Sequence, residues 1–315
     1  MVTVPAIETT GLTKRYGHDV YAVSDLSLTV EEGEVFGFLG PNGAGKSTTI
    51  DMLMDFVRPT SGSATILGYD AQDEAEAVHK RVGILPDGYS LYDRLSGRKH
   101  IEFAISLKES DDDPDEILAR VGLDADAAAR PAGTYSKGMS QRLALGMALV
   151  GDPDVLILDE PSSGLDPDGI RDIRALARSH ADAGGTVFFS SHILSQVEAV
   201  CDRVGILSRG RLVAIDTIDG LREAVGTGAT ITLAVDTPPV GVEFDDIDGI
   251  TDVALDGSVV KATCTDPTSK VTLVDRVREG GSRILDIETH ETSLEDLFSA
   301  YTHPVDEPMA VEAER

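Results

Sequence analysis

Apolar positions along the chain follow two rhythms. Short apolar runs without alternation occur within Glu34–Gly40 ("EVFGFLG"), Val82–Leu85 ("VGIL"), Val155–Glu160 ("VLILDE") and Gly185–Ser191 ("GTVFFSS"). Such runs predict central strands of a sheet covered on both faces. The first leads directly into "PNGAGKSTTIDMLMDF", which predicts strand, glycine-rich loop and helix, the helix stopping near Pro59 and Gly62. Between the second and third runs lie about 70 residues of mainly helical periodicity, including "GRKHIEFAISLKE" and "DDDPDEILARVGL", where acids and Pro114 mark a helix start. These residues predict an inserted helical subdomain over about 87–150.

Beyond "SRGRLVAIDTIDGLREAVGTG" the texture changes. Strands ("ATITLAVD", "SVVKATC"), a helix ("KVTLVDRVREGG"), a further strand ("RILDIETH") and a last helix ("SLEDLFSAYT") predict a separate unit. The expected fold class is α/β, with a P-loop nucleotidase core over 1–225 and a small α+β domain over 226–303. The boundary is expected near Gly226, and residues 304–315 are expected to be a disordered tail.

Charge narrows the possible partners. The 315 residues carry 55 Asp and Glu against 27 Lys and Arg, a formal net charge of −28. That balance excludes broad phosphate neutralisation, so no nucleic-acid partner is expected, and any anion must be held locally. The acids are spread along the chain while apolar content stays at 41%, which describes a folded protein with an acidic surface. A salt-rich, halophilic cytoplasm would screen the self-repulsion of such a surface. Cys201 and Cys264 fit no metal spacing or disulfide framework. The opening "MVTVPAIETT" lacks signal-peptide features, and no apolar run approaches the ~20 residues of a membrane span. The expectation is a soluble, intracellular protein.

The chemistry begins at Gly40–Ser47, "GPNGAGKS", a complete P-loop pattern. A triphosphate needs several donors converging at close range. Glycines let consecutive N–H groups turn inward, the helix starting near Lys46 adds its positive end, Lys46 reaches the β- and γ-phosphates, and the Ser47 hydroxyl can ligate Mg²⁺. Asp159, at the carboxyl end of its apolar strand, would support the Mg²⁺ shell. Glu160, one residue further, can act as general base toward a water in line with the γ-phosphate. Taken alone, His192 after "FFSS" reads as a structural hydrogen-bonder.

Together "KRYG", "GPNGAGKST", "GILPDGYSLYDRLSG", "YSKGMSQR", "VLILDEPSSGLDP" and "FFSSH" resemble, in order and spacing, the ATP-binding subunit of an ABC transporter over about residues 5–222. The resemblance implies ATP and Mg²⁺ as cofactors. ATP would be held by Gly40, Pro41, Asn42, Gly43, Ala44, Gly45, Lys46, Ser47 and Thr48, with Tyr16 stacking on adenine. His192 becomes the switch histidine at the γ-phosphate, with Glu160 as base. Ser136 and Gly138 of the signature loop would meet ATP held by a second ATPase subunit in a head-to-tail dimer, and Asp166 closes the turn through which the subunits sense each other.

Two departures stand out. Asp87 occupies the place of the family's usual Gln, where it would join Ser47 and Asp159 at the metal. The signature loop reads Tyr135-Ser136-Lys137-Gly138-Met139, so Lys137 replaces a Gly; it would add charge beside the γ-phosphate or face solvent. A membrane-spanning permease is implied as partner, received between the Asp87 loop and the helical insert, with the chain peripheral at the inner face of the cell membrane. "SLEDLFSAYT" resembles the tail of ABC-2 type exporter subunits, whereas "LPDGYSLYDRLSG" and "TYSKGM" also resemble ATPases of copper delivery for nitrous oxide reductase maturation. A soluble ABC ATPase of DNA repair or translation, and a P-loop kinase or non-hydrolysing regulator, are the alternatives outside transport.

Overall fold

The computed structural model describes residues 4–17, 19–224, 229–244, 246–264, 266 and 268–290. The chain divides into two compact units, Met1–Thr217 and Ile218–Arg315. The boundary expected at Gly226, the helix expected over 293–302 and the expected tail lie outside the described residues.

The first unit opens with two long strands, β1 (Ile7–Tyr16) and β2 (Val20–Val30), that form an antiparallel hairpin. β3 (Val35–Leu39) follows, and the P-loop then delivers the chain to α1 (Lys46–Leu53). This helix ends at Leu53 and not near Pro59. Asp55 adopts φ 52°, and the N–H groups of Phe56 and Val57 both turn back to the Asp51 carbonyl. That left-handed closure satisfies the last carbonyls before the proline is reached. β4 (Ser61–Ile66) and β5 (Tyr69–Asp70) complete a four-stranded antiparallel sheet in the order β2-β1-β4-β5.

α2 (Ala75–Arg81) leads into β6 (Val82–Leu85), and the helical insert then contributes α3 (Gly97–Lys108), α4 (Pro114–Arg120), α5 (Ala125–Ala129) and α6 (Lys137–Leu149). Each insert helix begins on an oxygen-bearing cap, Ser96, Asp113, Asp124 and Ser136 in turn, whose side chain accepts a first-turn N–H. Such caps satisfy donors that have no partner inside the helix.

The chain then alternates strand and helix through β7 (Val155–Asp159), α7 (Pro167–Asp182), β8 (Thr186–Ser191), α8 (Leu194–Glu198), β9 (Arg203–Ser208) and β10 (Arg211–Thr217). Six strands form the central sheet, in the order β10-β9-β3-β8-β7-β6. All its neighbours are parallel except the β10/β9 pair. Every residue of β3, β7 and β8 is buried, which is why these segments read as unbroken apolar runs. Phe36 and Phe38 pack on Phe188 with ring centroids 5.8 and 5.1 Å apart, filling the core between the two sheets.

In the second unit α9 (Ile218–Ala224) precedes β11 (Ala229–Val235), β12 (Ile250–Asp256), β13 (Val259–Cys264), α10 (Ser269–Glu279) and β14 (Ile284–His290). The strands form an antiparallel sheet in the order β12-β13-β11-β14. Leu233, Val260, Leu273 and Val277 form the centre of its own core.

Candidate active site

Three adjacent parallel strands end side by side. Leu39 of β3 pairs with Ser191 of β8, and Ser190 of β8 pairs with Asp159 of β7. The loops leaving these strands therefore gather Lys46, Asp159, Glu160 and His192 at the carboxyl edge of the sheet, where open α/β folds bind ligands.

The P-loop holds its shape through glycine. Gly45, the cap of α1, has φ 110°, and a Cβ there would lie 2.3 Å from the Ala22 carbonyl oxygen on β2. No side chain fits at that distance, so the loop can press against the hairpin only as glycine. Gly43 (φ 78°) has nothing within 4 Å of a Cβ position, and its demand is conformational alone. Asn42 and Ser47 are exposed, while Ala44 and Lys46 are buried. The Lys46 ammonium donates to the Gly40 carbonyl at 2.7 Å and stands 3.1 Å from Glu160 Oε1. That last contact is an ion pair without hydrogen-bond geometry, since Glu160 Oε1 has no hydrogen-bond partner. The two side chains are only 6% and 12% exposed, so each offsets the other's desolvation.

Glu160 is braced from several sides. Its φ of 48° is left-handed, which costs a non-glycine residue about 1–2 kcal/mol and persists where surrounding bonds over-determine it. Its N–H donates to Ser190 Oγ at 3.0 Å, and its carbonyl accepts from Ser163 N–H at 3.1 Å. Its Oε2 lies 2.8 Å from Nδ1 of the partly exposed His192. Ser190 Oγ also donates to Asp159. Burial raises the Asp159 carboxyl above its ordinary pKa, and the Asp87 and Glu160 charges push the same way. Hydrogen bonds from Ser190 and Ser47 oppose the rise.

Asp159 and Glu160 line a cleft of about 360 Å³ together with Asp87, Tyr135, Lys137 and Gln141. Asp87 is exposed there. Among the described residues no group of three or more His, Cys, Asp or Glu side chains forms a metal cluster. The hard oxygens of Ser47 and Asp159, with Asp87 nearby, are a donor set suited to Mg²⁺ that substrate phosphates would complete.

The remaining candidates stand further out. Tyr16, half exposed, ends β1 at the hairpin tip, with the Lys14 ammonium 5.1 Å from its ring centroid. Ser136 caps α6 by accepting the Met139 N–H at 3.3 Å, so the helix-start role of this loop is real. Gly138 would meet nothing closer than 3.9 Å if it carried a Cβ, so no contact within the chain requires glycine there. Asp166 caps α7, accepting from Gly169 N–H at 2.9 Å. Lys137 is exposed and lies over Gly164, where a Cβ would fall 2.0 Å from its Nζ. Within one chain the signature loop and the Ser163–Asp166 turn are thus neighbours.

Sequence reading missed three participants. Ser190 joins Asp159 to the Glu160 backbone, and Tyr89 and Gln141 form a part-buried link to the Pro161 carbonyl. Only the paired serines in "FFSSH", polar residues inside a buried strand, carried a local signal.

The chain matches the ABC transporter family over residues 23–163. It is 44% identical over 208 residues to an uncharacterized ABC transporter ATP-binding protein of Nostoc sp., a match covering 64% of this chain and 62% of that protein. The match therefore spans less than two thirds of that relative's length. Against the daunorubicin/doxorubicin resistance ATP-binding protein DrrA of Streptomyces peucetius it is 32% identical over 324 aligned positions, covering 98% of this chain and 96% of DrrA. Its fold is similar to that of a dimeric ATP-binding cassette in a post-hydrolysis state bound to ADP and Pi, with a TM-score of 0.62 at 23% identity, over 67% of this chain and 98% of the other.

Proposed function

Since the chain belongs to the ABC transporter family of ATP-binding subunits, we propose that it hydrolyses ATP at a site completed by a second ATPase subunit and so powers an ABC-2 type exporter. The observation that carries this reading is the convergence of Lys46, Asp159, Glu160 and His192 at the ends of three adjacent strands. A module that only binds nucleotide needs Lys46 and the P-loop amides. It has no use for a strained, braced carboxylate hydrogen-bonded to an exposed histidine.

In this reading residues 40–48 hold the phosphates, and Tyr16 stacks on the base. Ser47, Asp159 and Asp87 would hold Mg²⁺, which when bound supplies charge neutralisation for the β- and γ-phosphates. Glu160 takes the proton of the attacking water, and His192 keeps the Glu160 carboxylate in place and reports on the γ-phosphate. Lys46 must leave Glu160 to meet phosphate, so nucleotide binding itself frees the base.

Head-to-tail assembly explains Gly138. The open space over it, where a Cβ would meet nothing closer than 3.9 Å, is what close approach by another subunit's phosphate requires. The DrrA likeness supports an exporter over a copper-delivery or soluble ABC ATPase. No helix among the described residues is long and apolar enough to cross a membrane, and a permease supplies the membrane path. An apolar groove of about 290 Å³ between β6 and the insert helices α3 and α6, lined by Met54, Phe56, Ile84, Leu107 and Met147, fits an apolar helix end of that permease. Phe56 and Leu107 are 57% and 69% exposed there, and docking would place the chain at the cytoplasmic face of the membrane.

The test is Mg²⁺-dependent ATP hydrolysis and ATP binding by the purified chain beside Lys46→Ala. The variant is expected to lose binding; retained tight binding would refute the phosphate assignment.

A further inference from the structure

Along the cleft beside Glu160 runs a polar chain that the catalytic reading does not use. Gln141, in the second turn of α6, is 5% exposed. Its Nε2 donates to the Pro161 carbonyl at 2.8 Å, and its Oε1 accepts from the Tyr89 hydroxyl at 2.9 Å. The directions are forced by chemistry. A proline carbonyl can only accept, so the amide nitrogen must face Pro161, the amide oxygen must face Tyr89, and Tyr89 must donate. Burial pushes the Tyr89 hydroxyl up to about 12, so it remains a donor throughout the working pH range.

The chain joins three segments that are remote in sequence. Tyr89 lies two residues beyond Asp87, Gln141 sits on the helix that Ser136 caps, and Pro161 directly follows Glu160. Proline fixes its own φ, so holding the Pro161 carbonyl restrains the turn that follows the base. The Glu160 N–H is held on the other side by Ser190. The left-handed backbone of Glu160 is therefore clamped before it by β8 and after it by α6.

We propose that Tyr89 and Gln141 are positioning residues that hold Glu160 in its left-handed conformation and make its placement depend on the position of the Asp87 loop. When that loop shifts, the Tyr89 hydroxyl leaves Gln141 Oε1, and a buried acceptor without a donor weakens the hold on Pro161. The mechanism rests on the ATPase reading above, because only hydrolysis makes the position of Glu160 matter.

Hydrogen exchange on the nucleotide-free chain tests the link independently of activity. Tyr89→Phe and Gln141→Leu should each speed exchange of the Ser163 and Leu165 amides by roughly tenfold. The Thr49 amide, bonded to the Gly45 carbonyl at 2.9 Å, should not change. The double variant should be no faster than the quicker single variant, as expected for one continuous chain. In turnover, Gln141→Leu should lower kcat by roughly tenfold with the KM for ATP unchanged, since it acts on the base and not on the phosphates. Unchanged exchange over 159–166, equal acceleration at Thr49, or single effects that multiply in the double variant would each overturn the proposal. Should Gln141→Leu fail to fold, Tyr89→Phe, which removes one oxygen, carries the exchange and kinetic tests alone. A wild-type chain that hydrolyses no ATP would sink the ATPase reading, while the exchange result would still decide whether the link holds Glu160.

Discussion

In the proposed mechanism one carboxylate performs two jobs, and Glu160→Gln separates them. As base, Glu160 must accept a proton, which an amide cannot do, so hydrolysis should fall by about 10²- to 10⁴-fold. As partner of Lys46, it competes with phosphate. Two unit charges 3.1 Å apart attract by about 5 kcal/mol at an effective dielectric near 20. Most of that attraction offsets the desolvation of the pair, leaving about 1–2 kcal/mol net. Gln keeps the acceptor oxygen but drops the charge, so ATP should bind about 5- to 30-fold tighter. The assay is equilibrium binding of ATP to the two proteins at matched salt, with hydrolysis measured in parallel. An unchanged affinity would show that Lys46 is not held back by Glu160, and hydrolysis within threefold of wild type would show that another group is the base.

Ser136→Arg should leave ATP binding intact while cutting hydrolysis by about 10²-fold, because its hydroxyl would serve phosphate in a neighbouring subunit; normal hydrolysis would return this loop to a simple helix start. Gly164→Ala places a side chain at φ 69° and should cost about 1–2 kcal/mol in chemical denaturation. Because the end of Lys137 can swing away, adding Lys137→Ala should not recover that cost. His180 is 2% exposed with Nε2 unpartnered, and burial, then Arg120, hold its pKa below the ordinary value, while Asp152, the Pro153 backbone and Asp154 act in the opposite sense. The unfolded chain then binds more protons near pH 6, so stability is full above about 6.5 and is lost as pH falls below it. Denaturation at a series of pH values should show His180→Leu flattening that slope, by at most about 1.4 kcal/mol per pH unit; an unchanged slope would refute the assignment.

What could be read from the residues depended on how far apart the interacting groups lie. Strands β3, β6, β7 and β8 were legible because burial on both faces leaves a local apolar run. Gly40–Ser47 was legible because the phosphate loop carries its donors in consecutive residues. Strands β1, β2 and β4 were not, since they are partly exposed and interrupted by register shifts between Thr9 and Lys14. β12, with Asp252 and Asp256 among its seven residues and only two half-buried positions, likewise gave no alternation to detect. The Tyr89–Gln141 and Ser190–Asp159 bonds span 52 and 31 residues, and no local pattern encodes a partner at that distance. Family likeness alone put forward the roles proposed for Tyr16 and His192, which no spacing in this chain would have suggested.

The common end line of β3, β8 and β7 also limits how such a chain can vary. Asp159 is the last residue of β7 and is matched to Ser190, and Glu160 follows directly as the first residue beyond the strand. Deleting one residue within β7 would draw Glu160 back by about 3.3 Å into the slot of Asp159 and turn it to the other face. Asp159 would in turn enter the fully buried slot of Leu158, an unpaired carboxylate in the core, and the sheet edge would keep one acid where the proposed site needs two. Insertions and deletions can accumulate in loops, but within this strand a change of a single residue would remove the second carboxylate that the proposed hydrolysis needs.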